Sequence, residues 1–136
     1  MHELIMEIKS ILGEEKKVLS KLEELFQPLS FCQEDCWDVK CAVAEGCLNA
    51  IEHGNQLCAD FNVRVQIRIQ GNLVKVVISD CGMRSESTPC PVISPERGWG
   101  ILFISKLMDN YRFCFLEEQT MLYMEKTMSK EAGGTT

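Results

Sequence analysis

A stretch of strict alternation constrains the fold of this chain more than any other feature. Residues 61–70, FNVRVQIRIQ, place apolar side chains on one side of an extended chain and mainly polar ones on the other. The Gly-Asn pair at 71–72 favours a tight turn, and a second strand follows at Leu73–Asp80. We therefore predict a β-hairpin with one apolar face, which other elements must cover.

Elements that can extend and cover this hairpin occur on both sides of it. Alternation predicts a strand at Glu3–Ser10, and apolar residues at helical spacing predict an amphipathic helix over Gly13–Leu29. A second helix is predicted to begin between Glu34 and Asp38 and to run to about Gly54. A third helix and a late hairpin complete the set, at Ile101–Asp109, Tyr111–Leu116 and Gln119–Thr127.

Antiparallel hairpins with about three helices on one face predict a two-layer α+β sandwich. The chain has 136 residues, enough for one sizeable core, so we expect a single domain over residues 1–136 with a flexible tail at about 128–136. The sequence has no apolar run near the roughly 20 residues of a membrane span and no signal-peptide pattern. We therefore expect a soluble, cytoplasmic protein without membrane contact.

The charge distribution favours a protein partner over nucleic acid. Residues 1–60 contain 12 acidic and 5 basic side chains, whereas residues 61–136 contain 8 and 9. A chain of net charge −6 without a cluster of Lys and Arg neutralises few phosphates. We therefore expect no direct nucleic-acid binding.

The eight cysteines match no zinc-site spacing. In a chain without an export signal they do not indicate a disulfide framework either. We interpret them as small buried hydrophobic residues that stay reduced.

One face of the second helix carries candidate chemistry. Glu45, Asn49 and His53 recur at every fourth residue, so at ~100° per residue they stand within about one quadrant, opposite an apolar face. An ordinary amphipathic helix with a solvated face has the same pattern. However, asparagine is a poor helix former, so Asn49 in mid-helix indicates a tertiary role. A carboxylate and an amide oxygen one turn apart can also share a magnesium ion and a water molecule.

Two further segments have features of a ligand site. Asp80 ends a strand with Gly82 two residues on; its carboxylate can accept a hydrogen bond from an amine, although a plain Asp-x-Gly turn is the alternative. Gly98 and Gly100 precede the third helix, whose first N–H groups can bind phosphate. Between these segments, residues 83–97 contain three of the four prolines and are predicted to form a mobile lid.

The chain resembles, in order, the N, G1, G2 and G3 boxes of the GHKL ATPase superfamily, in the segments AVAEGCLNAIEHGN, ISDCGM, RGWGILFISKLMD and QTMLYMEK. The likeness is strongest to the small anti-sigma-factor serine kinases of that superfamily and covers nearly all of the chain. It implies the GHKL (Bergerat) fold, a mixed and mostly antiparallel sheet covered by about three helices. ATP would lie between the second helix and the lid.

The resemblance also implies roles for individual residues. Glu45 would be the catalytic base and Asn49 the ligand of Mg²⁺, while Asp80 would accept the amine of adenine and Thr120 would complete adenine recognition. One departure is Arg84, which stands at the second glycine of the Asp-x-Gly-x-Gly pattern. The other residues implied to contact the nucleotide are His53, Gly82, Met83, Arg97, Gly98, Trp99, Gly100 and Ile101.

These implications describe an ATP- and Mg²⁺-dependent protein serine/threonine kinase that is also an anti-sigma factor. Such a protein binds a sigma factor, phosphorylates an anti-sigma-factor antagonist on serine and thereby switches partners; a homodimer is implied as well. A non-catalytic, nucleotide-binding regulatory adapter of the same fold is the alternative. A histidine kinase catalytic domain is disfavoured because no helix pair with a phosphoacceptor histidine precedes the boxes.

Overall fold

The computed structural model describes residues 2–80, 98–116 and 119–130. This part of the chain contains five strands and three helices, and the second helix continues into a short π-helical turn. Their order and bounds are β1 (His2–Lys9), α1 (Glu15–Phe26), α2 (Gln33–Asn49), the π turn (Ala50–Gly54), β2 (Asn62–Gln70), β3 (Leu73–Ser79), α3 (Gly98–Leu107), β4 (Asn110–Leu116) and β5 (Gln119–Thr127).

The five strands form one sheet in the order β1-β2-β3-β5-β4. The hairpin expected from the alternation is confirmed, since β2 pairs with β3 and Gln70 lies opposite Leu73. β1 lies on the other side of β2, with Met6 opposite Val65. All four pairings among the described strands are antiparallel. The expected sheet is mixed and mostly antiparallel, and no parallel pair occurs among the described residues.

One face of the sheet and the three helices enclose the core, which confirms the two-layer α+β sandwich. The alternation of β2 sets this face, because every second residue of the strand is buried and those between are exposed or half-buried. α1 packs on β1 and α2, and α3 packs on α2. The largest side chains with almost no exposed surface come from both layers: Leu22, Ile51, Ile67, Ile69, Ile78 and Ile104.

Two helices begin earlier than the sequence pattern indicates. α2 begins at Gln33 because the sulfur of Cys32 accepts a hydrogen bond from the N–H of Asp35 at 3.5 Å, which caps the first turn. α3 begins at Gly98 instead of Ile101, so both glycines lie in its first turn. None of the described helices is long and apolar enough to cross a bilayer.

Residues 128–130, which the sequence assigns to the start of a flexible tail, are held against the beginning of α2. Met128 is buried, and the N–H of Cys32 donates to the carbonyl oxygen of Ser129 at 2.8 Å. The N–H of Ser129 donates to the Asp35 carboxylate at 2.6 Å. A buried apolar side chain and paired backbone groups therefore order these residues. The rest of the expected tail, residues 131–136, lies outside the described residues.

The Asp35 contact predicts a pH-dependent contribution to stability. Burial raises the pKa of Asp35, but hydrogen bonds from Ser129 and Cys32 and the charge of Lys126 outweigh it and hold the pKa below its ordinary value of 3.8. A lowered pKa means that the carboxylate stabilises the fold above the ordinary value, and that this contribution is lost as the pH falls through the folded-state pKa.

We expect Asp35→Asn to lower the free energy of unfolding by about 1 kcal/mol at pH 7, because a hydrogen bond to a charged group becomes one to a neutral amide. The difference should shrink below the ordinary carboxyl pKa of 3.8. Urea unfolding at several pH values measures both effects. Asp60→Asn is the control, since Asp60 is exposed; an equal loss there, or a constant loss at every pH, would contradict the assignment.

The cysteines are less buried than the sequence interpretation proposes. Of the six cysteines that the structure describes, all are free thiols, and only Cys47 is buried. Burial, with a smaller contribution from Glu15, raises the pKa of Cys47 far above its ordinary value, so this thiol stays protonated and unreactive. Burial and the neighbouring carboxylates of Asp38 and Glu45 also raise the pKa of Cys41, against a smaller opposing effect of Lys40.

Candidate functional site

The three polar residues of the second helix lie at its C-terminal end. Glu45 and Asn49 belong to α2, and His53 belongs to the π turn that continues it. All three are half-buried. The residues that follow each of them along the chain are buried: Gly46, Cys47, Ala50, Ile51 and Gly54. The helix therefore presents a partly accessible polar face beside a buried one, as the spacing predicts.

The π turn is a feature that the spacing does not predict. The N–H of Asn55 donates to the carbonyl oxygen of Ala50 at 2.8 Å, five residues back along the chain. Such a turn is wider than an α-helical one and is frequent at functional sites. It places Gly54, the last residue of the turn, against the strand end that carries Asp80.

Gly54 and Asp80 approach each other so closely that only glycine fits. A Cβ atom added at Gly54 would lie 2.2 Å from Oδ2 of Asp80 and 2.6 Å from its Cβ. The missing side chain therefore lets the carboxyl group of Asp80 sit directly against the end of the helix. Sequence reasoning missed this role, because a glycine at the end of a helix is ordinarily interpreted as a C-terminal cap.

Asp80 is also tied to the neighbouring strand β5. Its N–H donates to the carbonyl oxygen of Thr120 at 3.1 Å, and its Oδ1 accepts from the N–H of Thr120 at 3.0 Å. Asp80 is only 3% exposed. Its carboxyl group is therefore fixed on two sides, by Gly54 and by Thr120.

Two buried polar atoms near the ends of these elements have no hydrogen-bond partner in the described part of the chain. Among the described residues, the buried side-chain atoms without a hydrogen bond are Oγ1 of Thr120 and Nε2 of His53. An unpaired buried polar atom costs about 1–3 kcal/mol, so such atoms usually mark a place for water or ligand. Both belong to residues that the sequence assigns to the nucleotide site. Thr120 is also the residue whose backbone N–H and carbonyl oxygen form hydrogen bonds with Asp80.

The loop after the π turn is anchored to the sheet by a residue that sequence reasoning also missed. The side-chain amide of Asn55, which is fully buried, donates to Oγ of Ser10 at 2.8 Å and to the carbonyl oxygen of Asn62 at 3.0 Å. The next two residues, Gln56 and Leu57, have φ angles of 51° and 59°. Residues other than glycine rarely adopt this left-handed conformation, which costs about 1–2 kcal/mol each.

Part of the predicted site lies at or beyond the limits of the described residues. Gly98 and Gly100 form the first turn of α3, whose leading N–H groups lack partners within the helix. Trp99 and Ile101 belong to the same turn. Gly82, Met83, Arg84, Arg97 and the lid at 83–97 lie outside the described residues.

The described residues contain no group of three or more His, Cys, Asp or Glu side chains that could hold a metal ion. Magnesium in phosphate-transferring proteins is usually held by only one or two protein ligands together with substrate phosphates and water. A lone Asn49 with a neighbouring carboxylate is therefore compatible with that kind of site, and its role as a ligand stays a prediction.

The family model of the histidine kinase-like ATPase domain matches residues 11–126 of this chain. Serine-protein kinases named RsbW, from Bacillus cereus and Bacillus anthracis, are 25% identical in an alignment of 115 residues that covers 76% of this chain and 71% of theirs.

Solved structures share the fold at low sequence identity. A structure of the RsbU and RsbW domains of Rv1364c from Mycobacterium tuberculosis matches 97% of this chain with a TM-score of 0.74 and 18% identity; this chain spans 34% of it. The SiaB–SiaC complex from Pseudomonas aeruginosa gives a TM-score of 0.65 at 11% identity, covering 90% and 88% of the two chains. From the fold and the extent of the family match, this chain belongs to the histidine kinase-like ATPase domain family.

Proposed function

We propose that this protein binds ATP with Mg²⁺ and phosphorylates a serine of a protein partner, and that it acts as an anti-sigma factor. The observation that carries the proposal is the position of Asp80, buried and fixed between Gly54 and Thr120 beside the end of the helix that bears Glu45 and Asn49. Membership of the ATPase domain family and the likeness to the RsbW serine-protein kinases support it.

Adenine recognition is assigned to Asp80 and Thr120. A carboxylate has about four acceptor positions, and the bond from the Thr120 N–H uses one of them, so Asp80 can also accept the exocyclic amine of adenine. The hydroxyl of Thr120, which has no partner among the described residues, offers a further contact, directly or through water. Because Asp80 is already held in place, little conformational entropy is lost when it binds a ligand.

Phosphate binding is assigned to the start of α3 and to Asn49. The first N–H groups of a helix and its dipole favour anions, and the first turn of α3 contains two glycines. Bound Mg·ATP would supply the phosphoryl group and a metal that neutralises its charge. Asn49 would hold the ion, and His53, whose Nε2 has no partner among the described residues, would contact the phosphate side of the nucleotide.

The transfer step is assigned to Glu45. It lies one helical turn before Asn49 on the same half-buried face, so a serine hydroxyl approaching the metal side would meet its carboxylate. Glu45 would orient that hydroxyl and accept its proton as the serine oxygen bonds to the γ-phosphorus and the bond from that phosphorus to ADP, the leaving group, breaks. Its partial exposure leaves room for a protein substrate to reach it.

The partners proposed are a sigma factor and an anti-sigma-factor antagonist, bound by a homodimer of this protein. In this scheme the protein sequesters the sigma factor until the unphosphorylated antagonist competes for it. Phosphorylation of the antagonist on serine would then restore sequestration.

The test is to incubate the purified protein with ATP, Mg²⁺ and candidate antagonist proteins from the same genome, and to measure intact masses. We expect one antagonist to gain a single phosphoryl group on serine, and no gain when EDTA is present. Nucleotide binding without any transfer would favour the non-catalytic adapter. Failure to bind ATP or ADP in calorimetry would overturn both functions.

A further inference from the structure

We propose that a groove between α1 and α2, remote from the nucleotide site, binds a basic amphipathic segment of a partner protein. The groove has a volume of about 870 Å³ and lies between the C-terminal half of α1 and the N-terminal half of α2. Its floor is apolar and comes from Phe26, Leu29, Phe31 and Cys36. Partly apolar grooves between helices are common docking sites for amphipathic segments.

The side of the groove carries an exposed tryptophan. Trp37 is 63% exposed, the largest exposed fraction among the large hydrophobic residues that the structure describes. The ammonium group of Lys40 lies 5.4 Å from the centre of the Trp37 ring and also forms an ion pair with Glu23. Lys40 therefore holds the ring while leaving much of it accessible. Tryptophan is among the residue types most enriched at the energetic centres of protein interfaces.

Contacts between aromatic rings, together with Lys130, hold the floor of the groove in place. Phe26 and Phe31 are in edge-to-face contact with ring centres 6.0 Å apart. The Lys130 ammonium lies 5.5 Å from the ring centre of Phe31, and residues 31 and 130 form a β-bridge. A preformed, rigid floor lowers the cost of binding.

The charges around the groove indicate the chemistry of its partner. The groove is lined by three acidic side chains, Glu23, Glu24 and Glu34, and one basic one, Lys40, while Lys130 lies over the Phe31 ring of its floor. Lys40 is paired with Glu23, and Lys21 lies 3.7 Å from Glu24. Glu34 is exposed on the groove, and no ion pair of it occurs among the described residues. Acidic groups around an apolar floor complement a segment that combines Lys or Arg with apolar side chains.

The same charges disfavour other occupants. A second copy of this surface would place like charges opposite each other, and the whole chain has a net charge of −6.

Trp37 lies 12 residues before Asn49 on the same helix, which corresponds to about 18 Å at 1.5 Å per residue. The groove can therefore be occupied while the nucleotide site is in use. Binding at the groove does not depend on the proposed kinase activity.

The test uses a fluorescent synthetic peptide of about 15 residues, long enough to form a helix, with leucine on one face and lysine on the other. Anisotropy titrations are done without nucleotide, on the full chain. We expect saturable binding that weakens with salt and changes the emission of Trp37, identified by comparison with Trp37→Phe. A peptide with glutamate in place of lysine should not bind.

Variants distinguish the groove from general attraction to an acidic protein. We expect Trp37→Ala to weaken peptide binding by about tenfold or more, and Glu24→Lys with Glu34→Lys to do the same. The control is Glu7→Lys with Asp60→Lys, an equal charge change at two exposed residues away from the groove. Circular dichroism confirms that each variant is folded. The proposal is overturned if the control loses as much affinity, if Trp37→Ala binds as the parent does, or if the groove variants alter only self-association.

Discussion

Glu45→Gln is expected to lower the rate of serine phosphorylation by about 10²–10⁴-fold, because glutamine keeps the size of the side chain but cannot accept a proton. Glu45 is half-buried. The substitution does not alter the buried residues that follow it, Gly46 and Cys47, so the packing of the core should be kept. ATP affinity should therefore stay within about twofold of the parent value. Single-turnover phosphorylation of the antagonist and calorimetry with ATP measure the two quantities separately.

The matched control is Glu52→Gln, an acid of similar exposure that lies in the π turn seven residues later. In a regular α-helix, two residues seven positions apart lie on nearly the same face. Because Glu52 lies in the wider π turn, its alignment with Glu45 is changed. The control should keep nearly the parent rate. A parent-like rate for Glu45→Gln, or an equal loss for Glu52→Gln, would remove Glu45 from the chemistry and leave the adapter as the better hypothesis.

The parts of the fold that follow a simple period are predictable from the sequence. The strand at residues 62–70 alternates with a period of two over its whole length, and a shift of one residue would expose its apolar set, so both its existence and its pairing are fixed. The late hairpin is found at nearly the expected residues, and its second strand, β5, buries every second residue from Thr120 to Met124. The first helix follows the 3.6-residue period but is shorter at both ends, because helix ends depend on capping contacts.

The candidate site is predictable only in its residue types. The row of Glu45, Asn49 and His53 can be read from spacing, because these residues lie on one continuous helix and its extension. The close contact of Gly54 with Asp80 joins residues 26 positions apart. That contact depends on a π turn, which has no sequence signature of its own. The ordered conformation of residues 128–130 likewise has no sequence signature, because it depends on tertiary hydrogen bonds to Cys32 and Asp35.

Rigid and strained features surround the proposed adenine side of the site. Asn55 fixes the end of the π turn to Ser10, just after β1, and to the start of β2, and two left-handed residues follow it directly. Backbone strain of this kind persists only where neighbouring contacts enforce it. These contacts keep Gly54 at the position that the Asp80 carboxyl group requires. The helix end, the loop and the strand end therefore act as one support for that carboxyl group.

We expect Asp80→Asn to weaken ATP and ADP binding by about 1.5–3 kcal/mol, because the adenine amine loses a charged acceptor in a buried position. This corresponds to a loss of roughly 10- to 150-fold in affinity. The amide oxygen of the substituted side chain can still accept the hydrogen bond from the Thr120 N–H, so the strand pairing and the fold should survive. Calorimetry with ADP measures the affinity, and circular dichroism checks the fold. Unchanged ADP affinity would remove Asp80 from the nucleotide site.

Gly54→Ala tests whether the position of the Asp80 carboxyl group matters as well as its charge. The added Cβ would lie 2.2 Å from Oδ2 of Asp80, so the carboxyl group must move. Gly54 does not have a positive φ, so alanine adds no backbone strain there. Gly71→Ala is the opposite control: its φ of 60° makes alanine strained, while nothing lies within 4 Å of the added atom. We expect Gly54→Ala to lose at least about tenfold in ADP affinity, and Gly71→Ala to lose stability alone. If Gly54→Ala binds ADP as the parent does, the adenine site does not depend on the contact between the π turn and Asp80.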